Sequence, residues 1–126
     1  MDPETTEAVL RRLSLRIQST FTPHVVGGPG LFGGMVRVPA GREPVLVASV
    51  DGVGTKTLLA RRPEDFRTLG HDVVAHGLND VAVHGARPLF FLDYVAAGRL
   101  RPEALQAVLE GVLDACTRYG VALVGG

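Results

Sequence analysis

Segments with helical spacing alternate along this chain with short apolar segments typical of β-strands, and this alternation is what most constrains the fold. Helical spacing is found in residues 2–20, 71–84 and 102–119. Strand-like segments lie at residues 35–38, 45–50, 88–96 and 121–124. The order α, β, β, α, β, α, β predicts an α/β protein with a two-layer, α+β-like arrangement, in which helices cover one face of a mixed sheet.

Each helical segment has one apolar face. In chain order the faces consist of Leu10, Leu13 and Ile17; of Val74, Leu78, Val81 and Gly85; and of Leu105, Val108, Leu109, Val112 and Cys116. The first helix has a start signal at Asp2-Pro3-Glu4, and the last has Pro102 at its start and Gly120 at its end. A short helical turn is also predicted over residues 57–60.

Charge and composition exclude several classes of protein. Thirteen basic residues balance thirteen acidic ones, so the chain lacks the basic excess of most nucleic-acid binders and acidic-membrane binders. No apolar run approaches the roughly 20 residues that span a bilayer. A single cysteine among 126 residues forms no internal disulfide, which favours a cytoplasmic protein.

Residues 21–34 are rich in glycine and proline and are predicted to form a loop. Gly28-Pro29-Gly30-Leu31-Phe32-Gly33 matches the spacing of the dinucleotide-binding fingerprint. That fingerprint needs a strand before it and a helix opening within it, and neither is predicted here. The remaining interpretations are a plain flexible loop and a flap whose backbone N–H groups fold over phosphates.

Asp51-Gly52-Val53-Gly54-Thr55-Lys56 follows a predicted strand and is the most informative motif. Its spacing excludes a P-loop, yet it offers a carboxylate, a hydroxyl and a cation at a strand end, where α/β sheets bind ligands. The carboxylate suits Mg²⁺ and the ammonium suits phosphate oxygens. Lys56 is the only lysine beside 12 arginines. The alternative is a glycine turn with a solvated lysine.

Four potential ligands recur every four residues on the second long helix: Asp72, His76, Asp80 and His84. Neighbours at this spacing can share a metal, although a helix rotates the row by about 40° per step, so all four cannot converge. A two-residue transition-metal site is one interpretation and ordinary pairing on a solvent face is the other. Asn79 and Asp80 offer the hard oxygen ligands that Mg²⁺ prefers.

Asp93 has a structural and a functional interpretation, whereas Cys116 has a structural one. Asp93 interrupts an apolar strand, so its carboxylate must be paired, hydrogen-bonded or part of a site. Cys116 lies in a helical apolar stripe and is predicted to belong to the core.

Several ordered motifs together resemble the phosphoribosylformylglycinamidine cyclo-ligase (aminoimidazole ribonucleotide synthetase) family of purine biosynthesis. The resemblance covers the chain from about residue 22 and is carried by the motif at 51–56, Gly70-His71-Asp72-Val73-Val74-Ala75, Asn79-Asp80, residues 85–94, Gly98-Arg99-Leu100, the glycine loop at 27–34 and the closing Leu123-Val124-Gly125-Gly126. Sister families include formylglycinamidine synthetase, selenophosphate synthetase and thiamine-monophosphate kinase.

The resemblance implies a fold, a reaction and site residues. Two chains would pair strands into a barrel at a homodimer interface. The N-terminal domain would bind MgATP, and the amide oxygen of formylglycinamidine ribonucleotide would be phosphorylated before a nitrogen displaces phosphate. Metal ligands would be Asp51, Asp72 and Asp80, with Lys56 and Asp80 catalytic. Nucleotide contacts would come from Gly27, Gly28, Gly30, Gly33, Asp51, Gly52, Gly54, Thr55, Lys56 and Asn79.

The resemblance also has two gaps. The family continues beyond Gly-Gly into a Glu-Thr-Ala-Glu-Met-Pro motif and a second domain, and the segment before residue 21 carries no matching motif. We therefore expect a helical segment over residues 1–20 and an incomplete ATP-binding domain over residues 21–126 that does not turn over alone. The alternatives are a non-catalytic dimerisation module and a sister ATP-dependent kinase.

Overall fold

The structure is a computed structural model that describes residues 3–28, 34–41, 44–60, 62–99 and 101–126. It contains three long helices, namely α1 (Pro3–Ser19), α2 (Pro63–Ala82) and α3 (Pro102–Tyr119). Four short strands are β1 (Val25–Val26), β2 (Met35–Val36), β3 (Phe90–Leu92) and β4 (Ala122–Gly125). The described chain is therefore a mixed helical and β-sheet protein. No helix in these ranges is both long and apolar enough to cross a bilayer.

The strands form two separate pairs in the described chain, where one mixed sheet was predicted. β1 and β2 are antiparallel, with Val25 opposite Val36, and β3 and β4 are parallel, with Phe90 opposite Ala122. β1 lies within the segment predicted to be a loop, so that prediction is wrong at Val25–Val26. The strand exists because β2 supplies a hydrogen-bonding partner, which the glycine and proline content does not reveal.

The prediction of a strand at residues 45–50 is wrong. These residues have no regular secondary structure, and the side chains of Val45 and Val50 are 84% and 100% exposed. β-Branched residues favour extended backbone, but a strand also needs a neighbour for its N–H and C=O groups. No described strand pairs with this segment.

The strand predicted over residues 88–96 is present only at its centre, as β3. So apolar a segment is expected to be buried on both faces, and this expectation is wrong because Leu92 and Tyr94 are exposed. β4 covers only one edge of β3 among the described residues, and the Asp93 N–H extends the pairing by donating to the Gly125 carbonyl oxygen at 3.0 Å.

α3 supplies most of the buried core, and the apolar face predicted from its spacing is the face that is buried. Leu105, Leu109, Val112 and Cys116 are buried, and Gly120 ends the helix in the left-handed conformation at φ 65°. That conformation favours glycine at a helix end. α2 crosses α3 closely at two glycines, because a Cβ on Gly70 would lie 2.1 Å from the Val108 carbonyl oxygen. The prediction that Gly85 packs on this face is wrong, since Gly85 lies beyond α2 and is exposed.

α1 packs beside α3 through Val9 and Leu13, with Ile17 partly buried against the same cluster. Leu10, predicted on this face, is 44% exposed because the buried face follows a spacing of four residues from Val9. The end of α1 is fixed to β4, where the Leu123 N–H donates to Thr20 Oγ1 at 3.0 Å. Asp2, the predicted cap, lies outside the described residues.

α2 begins at Pro63 and so starts before the predicted residue 71. The Arg62 N–H donates to Asp65 Oδ2 at 3.0 Å at this start. The predicted short turn at 57–60 is a 3₁₀ helix over Gly54–Leu58.

Candidate functional site

Asp51 lies where the exposed segment 45–50 turns toward the 3₁₀ helix. Its Oδ1 accepts a hydrogen bond from the Gly52 N–H at 2.7 Å, which fixes the carboxylate relative to its own backbone. Gly54 follows with φ 59°, a conformation that side chains other than glycine rarely adopt. The local sequence thus turns the chain and holds Oδ1 of Asp51 through the backbone, whereas Oδ2 contacts α2.

α2 brings two further ligands to that oxygen. His76 and Asp80 lie one helical turn apart on the same face, and His76 Nε2 lies 3.0 Å from Asp51 Oδ2. One ligand atom from each of Asp51, His76 and Asp80 lies within 4.8 Å of the other two. We call these three residues the Asp-His-Asp cluster.

Ser49 orients the third member of the cluster. Its hydroxyl donates to Asp80 Oδ2 at 2.6 Å, which leaves the other carboxylate oxygen of Asp80 available to a ligand. Sequence reasoning missed Ser49, because nothing in the residue order shows that the segment 45–50 lies beside α2.

The charges of the cluster reinforce one another. The hydrogen bond from His76 lowers the pKa of Asp51, as does the Gly52 N–H. The same hydrogen bond to Asp51, together with the negative charge of Asp80, raises the pKa of His76. The cluster therefore favours a cation between its two carboxylates, and the imidazolium can itself serve as that cation.

Lys56 and Asp72 form an adjacent ion pair. Lys56 Nζ lies 2.9 Å from Asp72 Oδ2, and both groups are reached by solvent. Asp72, predicted as a metal ligand with Asp51 and Asp80, thus lies outside the three-residue cluster and neutralises the lysine. Lys56 would have to share or leave this carboxylate to contact a phosphate.

The other predicted site residues are only partly described. Asn79 is exposed on α2 beside Asp80, and Thr55 and Gly52 are exposed around the 3₁₀ helix. Gly27 has φ 92°, and a Cβ on Gly28 would meet nothing within 4 Å. Gly30 and Gly33 lie outside the described residues.

The donor set of the cluster fits a divalent cation. Carboxylate oxygens are the protein ligands that Mg²⁺ prefers, and Mg²⁺ usually keeps several waters, so two carboxylates from the protein are sufficient. Asp51 and Asp80 are both accessible, which leaves room for water and for phosphate oxygens.

An open cavity of about 320 Å³ adjoins Asp80. It is lined by Val47, Ala48, Ser49, Asp80, Val83 and His84. The cavity is bounded by the exposed segment and by the end of α2, so a ligand in it would lie against a cluster carboxylate.

Asp93 and Cys116 belong to a different part of the protein. Burial raises the pKa of Asp93. Burial, and secondarily the charge of Asp93, raises the pKa of the Cys116 thiol to about 12. Cys116 is therefore a neutral core residue, as its position in the apolar stripe predicted.

Comparison with known proteins identifies a matching family and several similar proteins. The sequence profile of the family "AIR synthase related protein, N-terminal domain" matches residues 33–126. A protein of Parasynechococcus marenigrum (strain WH8102) named phosphoribosylformylglycinamidine cyclo-ligase is 47% identical over 127 aligned residues. Proteins with the same name from Prochlorococcus marinus (strain MIT 9313) and Gloeothece citriformis (strain PCC 7424) are 46% and 45% identical.

These alignments cover 100% of this chain, including the segment before residue 21 in which no motif was recognised. They cover 37% of each of the three relatives. The chain thus spans little more than a third of the length of the curated proteins that it matches.

Proposed function

Because this chain belongs to the AIR synthase related protein family through its N-terminal domain, we propose that it is the nucleotide-binding part of an ATP-dependent cyclo-ligase. The proposed reaction is the conversion of formylglycinamidine ribonucleotide to aminoimidazole ribonucleotide in purine biosynthesis, in the cytoplasm. The relatives' name, phosphoribosylformylglycinamidine cyclo-ligase, supports this reaction. The observation that carries the proposal is the convergence of Asp51 and Asp80, from a loop and a helix, around one point.

The proposed roles follow from the charges and positions of the side chains. Asp51 and Asp80 hold Mg²⁺, which supplies neutralisation of the triphosphate when it is bound. Lys56 Nζ exchanges its contact with Asp72 for a phosphate oxygen. Asn79, which lies beside Asp80, assists Asp80 in binding the Mg²⁺–phosphate group. The backbone N–H groups around Gly27 and Gly28 cover the phosphates. These residues act by positioning and by charge neutralisation, and none forms a bond to the substrate.

Calorimetric titration of MgATP into the 126-residue chain tests this proposal. We expect weak binding that is reduced in Lys56→Ala and in Asp51→Ala, because each removes a charge that contacts the phosphates or their metal. Arg11→Ala is the control, since Arg11 is an exposed cation on α1 that pairs only with Glu7 in the described contacts. Equal affinity in all four proteins would contradict the proposal.

We also propose that two chains form a homodimer through the exposed apolar segment. Val45, Leu46 and Val50 are exposed within residues 45–50, which pair with no strand among the described residues. Leu92 at the end of β3 and Tyr94 just after it are exposed as well. Exposed apolar surface of this kind is typical of an interface. Sedimentation equilibrium should give a dimer that Val50→Asp weakens. A monomer at all concentrations would contradict this part of the proposal.

A further inference from the structure

The Asp-His-Asp cluster contains one more ligand than a magnesium site made of carboxylates requires. We infer that His76 is a third protein ligand beside Asp51 and Asp80, and that this ligand set binds a first-row transition-metal dication, Mn²⁺ or Zn²⁺, more tightly than the Mg²⁺ of the proposed function. The inference rests on the proposed function for the two carboxylates, and it adds the imidazole and the class of metal.

The first argument is geometric. Nitrogen and oxygen ligands lie about 2.1 Å from a first-row dication, so neighbouring ligands are about 3.0 Å apart in octahedral geometry and about 3.4 Å apart in the tetrahedral geometry of zinc. His76 Nε2 and Asp51 Oδ2 are separated by 3.0 Å. The pair can therefore hold a common ion with little movement of either side chain.

The second argument concerns the positions along the chain. His76 and Asp80 lie one turn apart on α2, a spacing that helices use to hold one metal between two side chains. The helix alone supplies two ligands, and the loop at Asp51 supplies the third. The cluster thus has the three protein ligands of an open metal site, with further positions left for water or a ligand oxygen.

The third argument is chemical. Imidazole suits zinc and its neighbours, whereas Mg²⁺ takes oxygen ligands and gives up its waters reluctantly. A neutral imidazole nitrogen therefore adds more to the binding of a transition-metal dication than to that of Mg²⁺. His76 would bind a metal as the neutral imidazole, so the metal would take the place of the contact between His76 Nε2 and Asp51 Oδ2.

The experiment uses Mn²⁺ as the spectroscopic probe on the full 126-residue chain. Pulsed electron paramagnetic resonance detects the ¹⁴N coupling of an imidazole that is bound directly to Mn²⁺. We expect this coupling in the unmodified chain, its loss in His76→Gln, and its retention in His71→Gln, which changes another histidine of α2. His76 is about half exposed, so its substitution leaves the core intact.

Competition between Zn²⁺ and Mg²⁺ provides the second measurement. His76→Gln should lower the affinity for Zn²⁺ by at least about tenfold and change that for Mg²⁺ much less. Mn²⁺ bound without ¹⁴N coupling, or unchanged Zn²⁺ affinity in His76→Gln, would overturn the inference and leave the proposed function standing. Absence of any Mn²⁺ or Mg²⁺ binding would overturn both.

Discussion

Gly70 of α2 and Gly111 of α3 lie against each other where the two helices cross. A Cβ on Gly111 would lie 2.0 Å from the Arg67 carbonyl oxygen and 3.1 Å from Gly70 Cα. Since backbone atoms cannot move aside as the end of a side chain can, this crossing requires glycine at both positions.

Gly111→Ala should destabilise the protein by about 1–3 kcal/mol, because the added methyl group forces α2 and α3 apart. Urea denaturation followed by circular dichroism measures the change. The control is Gly98→Ala, where a Cβ would meet nothing within 4 Å. Equal stability of the two variants would show that the helices do not cross as described.

Thr20→Val should cost about 1–3 kcal/mol, because it leaves the buried Leu123 N–H without its acceptor. Thr20 also donates to the Ile17 carbonyl oxygen at 2.7 Å, so its hydroxyl connects the end of α1 to β4. Thr68→Val is the matched control, since Thr68 is exposed and contacts only its own helix in the described bonds. Thermal melting of the three proteins gives the comparison, and a Thr20→Val loss no greater than that of Thr68→Val would refute this connection.

Acidification should weaken the contact between helices at Asp114. Burial acts to raise the pKa of Asp114, but hydrogen bonds from Arg67 and Arg16 outweigh it, and the pKa lies below its ordinary value. A lowered folded-state pKa stabilises the protein above the unfolded pKa of about 3.9, and that contribution is lost as pH falls through the folded value.

Asp114→Asn should therefore lose about 1 kcal/mol near neutral pH and should differ less from the unmodified chain below about pH 3. Arg67 Nε donates a hydrogen bond to Asp114 Oδ2 at 2.9 Å. Asparagine at position 114 keeps the size and shape of the side chain but removes its negative charge. Stability curves from pH 2 to pH 7 measure the difference. A difference in free energy of unfolding between the two proteins that stays constant from pH 2 to pH 7 would mean that the charge of Asp114 does not contribute to stability.

In metal-free buffer, the pKa of His76 should lie above the ordinary value of about 6.5. The hydrogen bond to Asp51 is the main cause, followed by the charge of Asp80. The protonated imidazole contributes stability below the unfolded pKa, and the contribution disappears as pH rises through the folded value. NMR titration should show that Asp51→Asn lowers the His76 pKa while Asp114→Asn leaves it in place. A His76 pKa that Asp51→Asn does not change would contradict the contact.

The sequence predicted elements best where the signal is local. α3 was found from its apolar spacing together with Pro102 and Gly120, because all three act within a few residues. The first two turns of α2 were missed although Pro63, Glu64 and Asp65 carry a similar start signal, since the apolar spacing becomes regular only later. Residues 45–50 were assigned wrongly because strand formation depends on a partner that the residue order does not specify.

In the candidate site, too, the residue types could be predicted from the sequence, whereas the contacts between distant segments could not. Asp51 and Asp80 were singled out from their residue types and predicted positions, and the structure brings them together. The hydrogen bonds from His76 to Asp51 and from Ser49 to Asp80 depend on how a loop lies against α2, which no spacing rule gives. The ion pair between Asp72 and Lys56 likewise depends on how the 3₁₀ helix lies against α2.

A double-mutant cycle on Asp51 and Asp80 tests the central claim most directly. The quantity to measure is the Mg²⁺-dependent affinity for ATP in Asp51→Asn, Asp80→Asn and the double variant, with Asp114→Asn as control. If both carboxylates hold one ion, each single variant should lose about tenfold or more in affinity, and the double variant should lose little beyond the worse single variant. Losses that multiply in the double variant, or affinities equal to the control, would show that the two carboxylates do not share a metal.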